Sequence, residues 1–112
     1  MIIYNAEING ELKTVVTEGN KIAAVEENRK DGDINADGCR LIPGLIDVHT
    51  HGCIGMDTMD ANFEPMCRFY AEHGTTSFLP TTMTMGYDSL LKVTSAKTDF
   101  AGANILGFHF EG

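Results

Sequence analysis

The chain has 112 residues, 8 basic and 16 acidic side chains, and a formal charge of -8. At 43% apolar and 21% charged it is ordinary globular material, of a length that supplies one small domain at most, since domains run to ~100–200 residues. An acidic balance without a Lys/Arg cluster excludes a nucleic-acid binder, whose affinity comes from cations set against phosphates.

The longest near-continuous apolar run, from Leu41 to Val48, is interrupted by Pro43, Gly44 and Asp47, far short of the ~20 apolar residues that cross a bilayer. The opening MIIYNAEINGE has neither the basic start nor the long apolar stretch of a secretory signal. Cys39, Cys53 and Cys67 are odd in number and form no C-x-x-C pair, which suits a reducing compartment. The expectation is a soluble, cytoplasmic chain.

The first forty residues read as short antiparallel strands, Met1–Ile8, Leu12–Thr17 and Lys21–Glu26, separated by Asn9-Gly10 and Gly19-Asn20. Asn-Gly between two β-rich runs signals a hairpin, because both central residues of a type I′ turn need φ > 0. Asn28–Gly38 is a polar, Gly/Asp-rich connector.

From Leu41 the pattern changes. LIPGLIDVHTH reads as a buried strand with Pro-Gly at its start. After a loop, Asn62–His73 fits a helix, with Asn62 as cap, Pro65 in the first turn and Gly74 beyond the last. Phe63, Met66, Cys67 and Tyr70 recur at i, i+3, i+4 and i+7 and predict its buried face. Thr75–Thr84 is a second strand despite Pro80. Tyr87–Ala96 is a second helix with Tyr87, Leu90, Leu91 and Thr94 on one side, and Ile105–Glu111 is a third strand. Apolar strands alternating with helices predict an α/β fold built on a parallel sheet. Such a sheet is covered on both faces, and no helix follows the third strand. The expectation is the N-terminal piece of a larger barrel, which needs ~250 residues.

The sharpest chemical feature is His49-Thr50-His51 at the end of the first of these strands. Side chains alternate along a strand, so Asp47, His49 and His51 share a face, and two imidazoles at i, i+2 reach one cation. The bland alternative is a pair of hydrogen-bonding histidines. An H-x-H that closes an apolar strand and precedes a Gly-rich loop favours metal ligation. Glu111 ends the third strand, on the face expected for Ile105, Gly107 and His109, while Leu106, Phe108 and Phe110 point the other way. A carboxylate at the C-terminal end of an apolar strand needs a cation or a donor, and that is the end where α/β barrels keep their chemistry. With the H-x-H it becomes a candidate third ligand.

LIPGLIDVHTHG resembles the first barrel strand of the amidohydrolase superfamily. HGCIGMDTMDA, GTTSFLPTTMT and ILGFHFEG resemble its N-acetylglucosamine-6-phosphate deacetylase family, so that the likeness covers Leu41 to Gly112. The resemblance implies a (β/α)8 metal-dependent hydrolase barrel, of which 41–112 would be the first three strands and two helices. Residues 1–40 would be part of a small β-sandwich. It implies that His49 and His51 are metal ligands and that Glu111 ligates or bridges one or two divalent ions, Zn or Fe. It further implies a phosphorylated amino-sugar substrate, a homodimer for the full-length protein, and a catalytic aspartate and phosphate-binding residues beyond residue 112. The 112-residue piece would then be inactive alone. Competing readings are another amidohydrolase, of the dihydroorotase, hydantoinase or aminoacylase kind, and a non-catalytic metal-binding α/β fragment. Dihydroorotase-like chains typically carry an Arg-containing segment after the H-x-H, where this sequence has Gly52-Cys53-Ile54-Gly55.

Other features have plainer readings. His109 fits an outer partner or barrel-interior packing better than a direct ligand. His73 suits the last turn of a helix. Asp33–Gly38 matches the opening of a calcium loop but has Gly44 where the bidentate Glu should stand, so it reads as a turn. Cys53 reads as a free thiol beside the site, Asp57 and Asp60 as loop caps or substrate contacts, and Met83–Met85 as packing.

Overall fold

The computed structural model describes residues 1–111; Gly112, which closes the ILGFHFEG run, lies outside the described residues. The chain divides into two compact units, Met1–Pro43 and Gly44 onward.

In the first unit β1 (Ile2–Ile8), β2 (Glu11–Glu18), β3 (Lys21–Glu27) and β4 (Ile34–Asn35) form one sheet in the order β3-β2-β1-β4. The first hairpin turns where expected, with φ of 53° at Asn9 and 88° at Gly10, and β1 and β2 pair antiparallel on either side of it. The β1–β2 register shifts between Ile3 and Ala6, and Asn5, inside that irregularity, has φ 54°, a conformation Asn tolerates better than most residues. Its backbone N–H donates to Asn28 Oδ1 at 2.8 Å and its side chain accepts from Asn28 Nδ2 at 2.6 Å. The polar connector was expected to hold no strand, yet β4 lies within it and pairs parallel with β1. Asp33 Oδ2 accepts the Ile2 N–H at 2.6 Å and so brings the connector alongside. Asn35 Oδ1 then accepts the Asp37 N–H at 2.9 Å, the Asx turn that the Asp33–Gly38 run suggests.

In the second unit β5 (Leu45–Thr50) and β8 (Thr75–Thr82) pair parallel, and β8 also pairs parallel with β9 (Asn104–Ile105) and β10 (His109–Phe110). Between β5 and β8 run a small hairpin, β6 (Gly52–Cys53) with β7 (Met56–Asp57), a 3-10 turn at Thr58–Asp60 and helix α1 (Glu64–Glu72). Helix α2 (Tyr87–Thr94) follows β8. This is a mixed α/β arrangement. Phe63, Met66, Cys67 and Tyr70 all face inward, as their spacing predicts, and pack with Phe78, Val93 and Ala103.

Several expectations need correction. Asn62 does not cap α1: Phe63 holds the cap position without a side-chain bond, because burying its ring takes precedence over a cap. The buried face of α2 is centred on Val93, while Tyr87 is 75% exposed and Leu91 is exposed. The third strand is two short pieces, β9 and β10, separated at Gly107 with φ 152°. That glycine resets the alternation, so Ile105 and Phe108 both pack on the core, and the Phe108 ring lies 5.7 Å from that of Phe63. β5 was expected to be buried, yet Leu45, Ile46 and Val48 are 58–60% exposed. It lies at the end of its sheet, opposite β10, and α1 and the core gather on β8 instead, with α2 against the 3-10 turn. Met83 and Met85 are exposed, not packed. No helix among the described residues is long and apolar enough to cross a membrane.

Candidate metal centre

His49 is the penultimate residue of β5, and His51 follows its last residue, Thr50. His49 and His51 flank a residue whose side chain turns the other way, and Thr50 is buried. The two imidazoles are left together, Nε2 to Nε2 at 3.4 Å, with ring planes 68° apart. Asp47, two residues earlier, accepts the His49 N–H on Oδ1 at 3.1 Å.

Glu111 comes from the other side of β8. β10 pairs His109 with Thr81 and Phe110 with Thr82, and β5 pairs Thr50 with Pro80. Both flanking strands therefore deliver their last residues to the C-terminal end of β8. Glu111 Oε2 lies 2.9 Å from His51 Nε2, and its backbone carbonyl accepts the Thr84 hydroxyl at 3.3 Å. One donor atom from each of His49, His51 and Glu111 falls within a group no wider than 4.8 Å. The sequence-predicted trio is thus brought together.

This donor set suits a divalent ion. An ion ~2.1 Å from two imidazole nitrogens at a near-tetrahedral angle separates them by about 3.4 Å, the spacing found here. His51 Nδ1 is buried without a hydrogen-bond partner among the described residues, so Nε2 is the nitrogen this ring presents.

His109 does not join the group of three. Its Nδ1 meets the Val48 carbonyl oxygen at 2.8 Å and its ring lies 4.4 Å from that of His49, centroid to centroid. It supports β5 and the His49 ring from the side. Cys53 is a free thiol whose pKa burial pushes up, against a lowering hydrogen bond with Tyr70. It is therefore a poor thiolate donor at neutral pH. Asp57 Oδ1 accepts the Met59 N–H at 2.7 Å and Asp60 Oδ2 the Asp57 N–H at 2.9 Å, so both carboxylates close the 3-10 turn as a capping box. His73 ends α1, with Nδ1 2.7 Å from the Phe69 carbonyl oxygen.

The supports behind the histidines are what the sequence reading missed. Thr50 Oγ1 lies 2.6 Å from Tyr70 Oη, the Thr50 N–H donates to Thr81 Oγ1 at 2.9 Å, and the Thr58 hydroxyl donates to the Thr50 carbonyl at 3.3 Å. The one signal available was strand alternation, which turns Thr50 inward between two outward histidines.

No family model matches the chain. It is 37% identical to N-acetylglucosamine-6-phosphate deacetylase of Bacillus subtilis over 93% of this chain and 28% of the relative. It is 35% identical to the enzyme of that name from Vibrio furnissii, over 99% of this chain and 31% of the relative. Among solved structures, N-acetylglucosamine-6-phosphate deacetylase of Thermotoga maritima superposes with a TM-score of 0.62 at 34% identity, over 84% of this chain and 26% of that one. The Pasteurella multocida protein of the same name superposes on 99% of this chain and 34% of its own, with a TM-score of 0.74 at 24% identity, a likeness of fold alone. The chain thus spans roughly three tenths of the length of the curated relatives it matches, and over that span it is similar to these deacetylases.

Proposed function

We propose that this chain supplies metal ligands to a hydrolase that converts N-acetylglucosamine 6-phosphate to glucosamine 6-phosphate and acetate. The observation that carries the reading is the 3.4 Å approach of His49 Nε2 to His51 Nε2, with Glu111 Oε2 2.9 Å from the latter. The similarity to proteins named for that reaction supplies the substrate.

His49 and His51 would each offer a ring nitrogen, and Glu111 a carboxylate charge, to hold one or two divalent ions, Zn or Fe. When bound, an ion of this kind would supply Lewis-acid activation of a water, with a pKa lowered to roughly 7, and of the amide carbonyl. The residues of this chain fix where that chemistry happens: β5 and β10 set the ligands at the carboxyl end of the sheet, and the His109 ring limits how His49 turns. The leaving amine needs a proton from an acid, and the substrate phosphate needs cations. The family resemblance assigns both to residues outside these 112. In this reading residues 1–40 belong to a small β-sandwich and 41–112 open a (β/α)8 barrel, in a cytoplasmic homodimer.

The test is acetate release from N-acetylglucosamine 6-phosphate by the complete protein, with metal analysis of the same sample. The expected result is turnover that chelation abolishes and Zn2+ or Fe2+ restores. Absence of turnover on this substrate, or turnover by metal-free protein, overturns the reading.

A further inference from the structure

We infer that Tyr70 is a positioning residue for the metal ligands, its hydroxyl holding Thr50 so that the histidines on either side converge. The inference rests on the metal reading above and extends it to a residue that touches neither ligand.

Thr50 is the pivot. Any rotation of its backbone moves His49 and His51 relative to each other, because they are its immediate neighbours on the opposite face. The strand ladder alone gives weak control at this point. The β5–β8 register is irregular between Asp47 and Thr50, and the residue paired with Thr50 is Pro80, which has no N–H to donate. Hydroxyl groups add the missing control. Thr81 Oγ1 accepts the Thr50 N–H at 2.9 Å, Thr58 Oγ1 donates to its carbonyl at 3.3 Å, and the Thr58 N–H binds the His51 carbonyl at 2.8 Å.

Tyr70 closes this arrangement from α1. Its hydroxyl lies 2.6 Å from Thr50 Oγ1 and 3.4 Å from the Gly52 carbonyl oxygen, and so reaches both sides of His51. The ring is fixed by the core, 4.6 Å from that of Phe78 by centroid, and the residue is only 8% exposed. Burial pushes the phenol pKa up, so it remains a neutral donor at physiological pH. A buried polar group on a rigid helix, placed against the residue between two ligands, is the arrangement by which outer partners orient a metal site.

The test uses the complete protein, stripped of metal, with Zn2+ affinity measured by competition against a chromophoric chelator. Tyr70→Phe keeps the ring and its packing and removes one oxygen. It should weaken Zn2+ binding by about 10–100-fold, the usual cost of losing an outer partner. Thr50→Val should lose a similar factor, the double variant little more than either alone, and Thr50→Ser, which keeps the hydroxyl, should bind almost as wild type. Thermal unfolding of the metal-free variants separates this from a merely structural role, which would lower the midpoint and leave the affinity of folded protein unchanged. Wild-type affinity in Tyr70→Phe overturns the inference, as does a double variant whose losses simply multiply. His49→Ala and His51→Ala are the controls. If they lose Zn2+ while Tyr70→Phe does not, only this inference falls; if wild type binds no Zn2+, the metal reading falls and takes the inference with it.

Discussion

His51 meets Glu111 at 2.9 Å through Nε2, while its other ring nitrogen is buried with no partner among the described residues. The ring is thus committed at one edge, and Glu111 is the only charged group that contacts it there among those residues. Glu111→Gln keeps the shape and removes the charge. Direct ligation predicts that Zn2+ affinity falls by more than the ~10–100-fold that loss of an outer partner costs. Equilibrium dialysis with Zn2+ checks this, and unchanged affinity in Glu111→Gln excludes Glu111 from the site.

The hairpin that follows His51 begins at Gly52, whose φ is 142°, and a Cβ there would come within 2.0 Å of the Met56 carbonyl oxygen. The backbone β6 presents to β7 leaves no room for a side chain, so Gly52→Ala should cost on the order of 1–3 kcal/mol of strain. Because Gly52 also accepts from Tyr70, Zn2+ affinity should fall along with stability. Urea denaturation of the variant and wild type measures the first effect, and a midpoint equal to wild type would contradict the geometry.

In the first unit, Arg40 Nε donates to Glu7 Oε2 at 2.9 Å. That bond, followed by the Gly10 N–H, holds the Glu7 carboxyl below its ordinary value. A depressed carboxylate pKa adds stability above the unfolded value of ~4.3, lost as pH falls through the folded one. Arg40→Ala should therefore lower the unfolding midpoint at neutral pH, and the gap from wild type should narrow below about pH 4. A gap independent of pH would show that the pair contributes nothing through ionisation.

Leu45, Ile46 and Val48 leave apolar surface open on both faces of β5, which is also the end of its sheet. Exposed apolar edges template association. The 112-residue polypeptide prepared by itself should form higher-mass species in light scattering, and Ile46→Lys with Val48→Lys should reduce them. A monodisperse monomer that unfolds cooperatively would contradict this expectation.

The local grammar of the chain was legible. Asn9-Gly10 marked its turn, the Phe63/Met66/Cys67/Tyr70 spacing marked the buried face of α1, and alternation placed His49 and His51 on one side. What escaped depends on contacts distant in sequence. β4 is a strand because Asp33 binds the Ile2 N–H, which no local pattern in a polar connector reveals. Gly107 interrupts a run that otherwise alternates well, since a glycine identity does not disclose its φ. Tyr70 looked like one more apolar position on a helix, and only the fold places its hydroxyl against Thr50, twenty residues earlier.

The most direct measurement is anomalous scattering at the Zn edge from crystals of the complete protein loaded with Zn2+. The account predicts a peak ~2.0–2.2 Å from His49 Nε2, His51 Nε2 and a Glu111 carboxylate oxygen. Zn2+ bound elsewhere, with these three side chains ligating nothing, would contradict it.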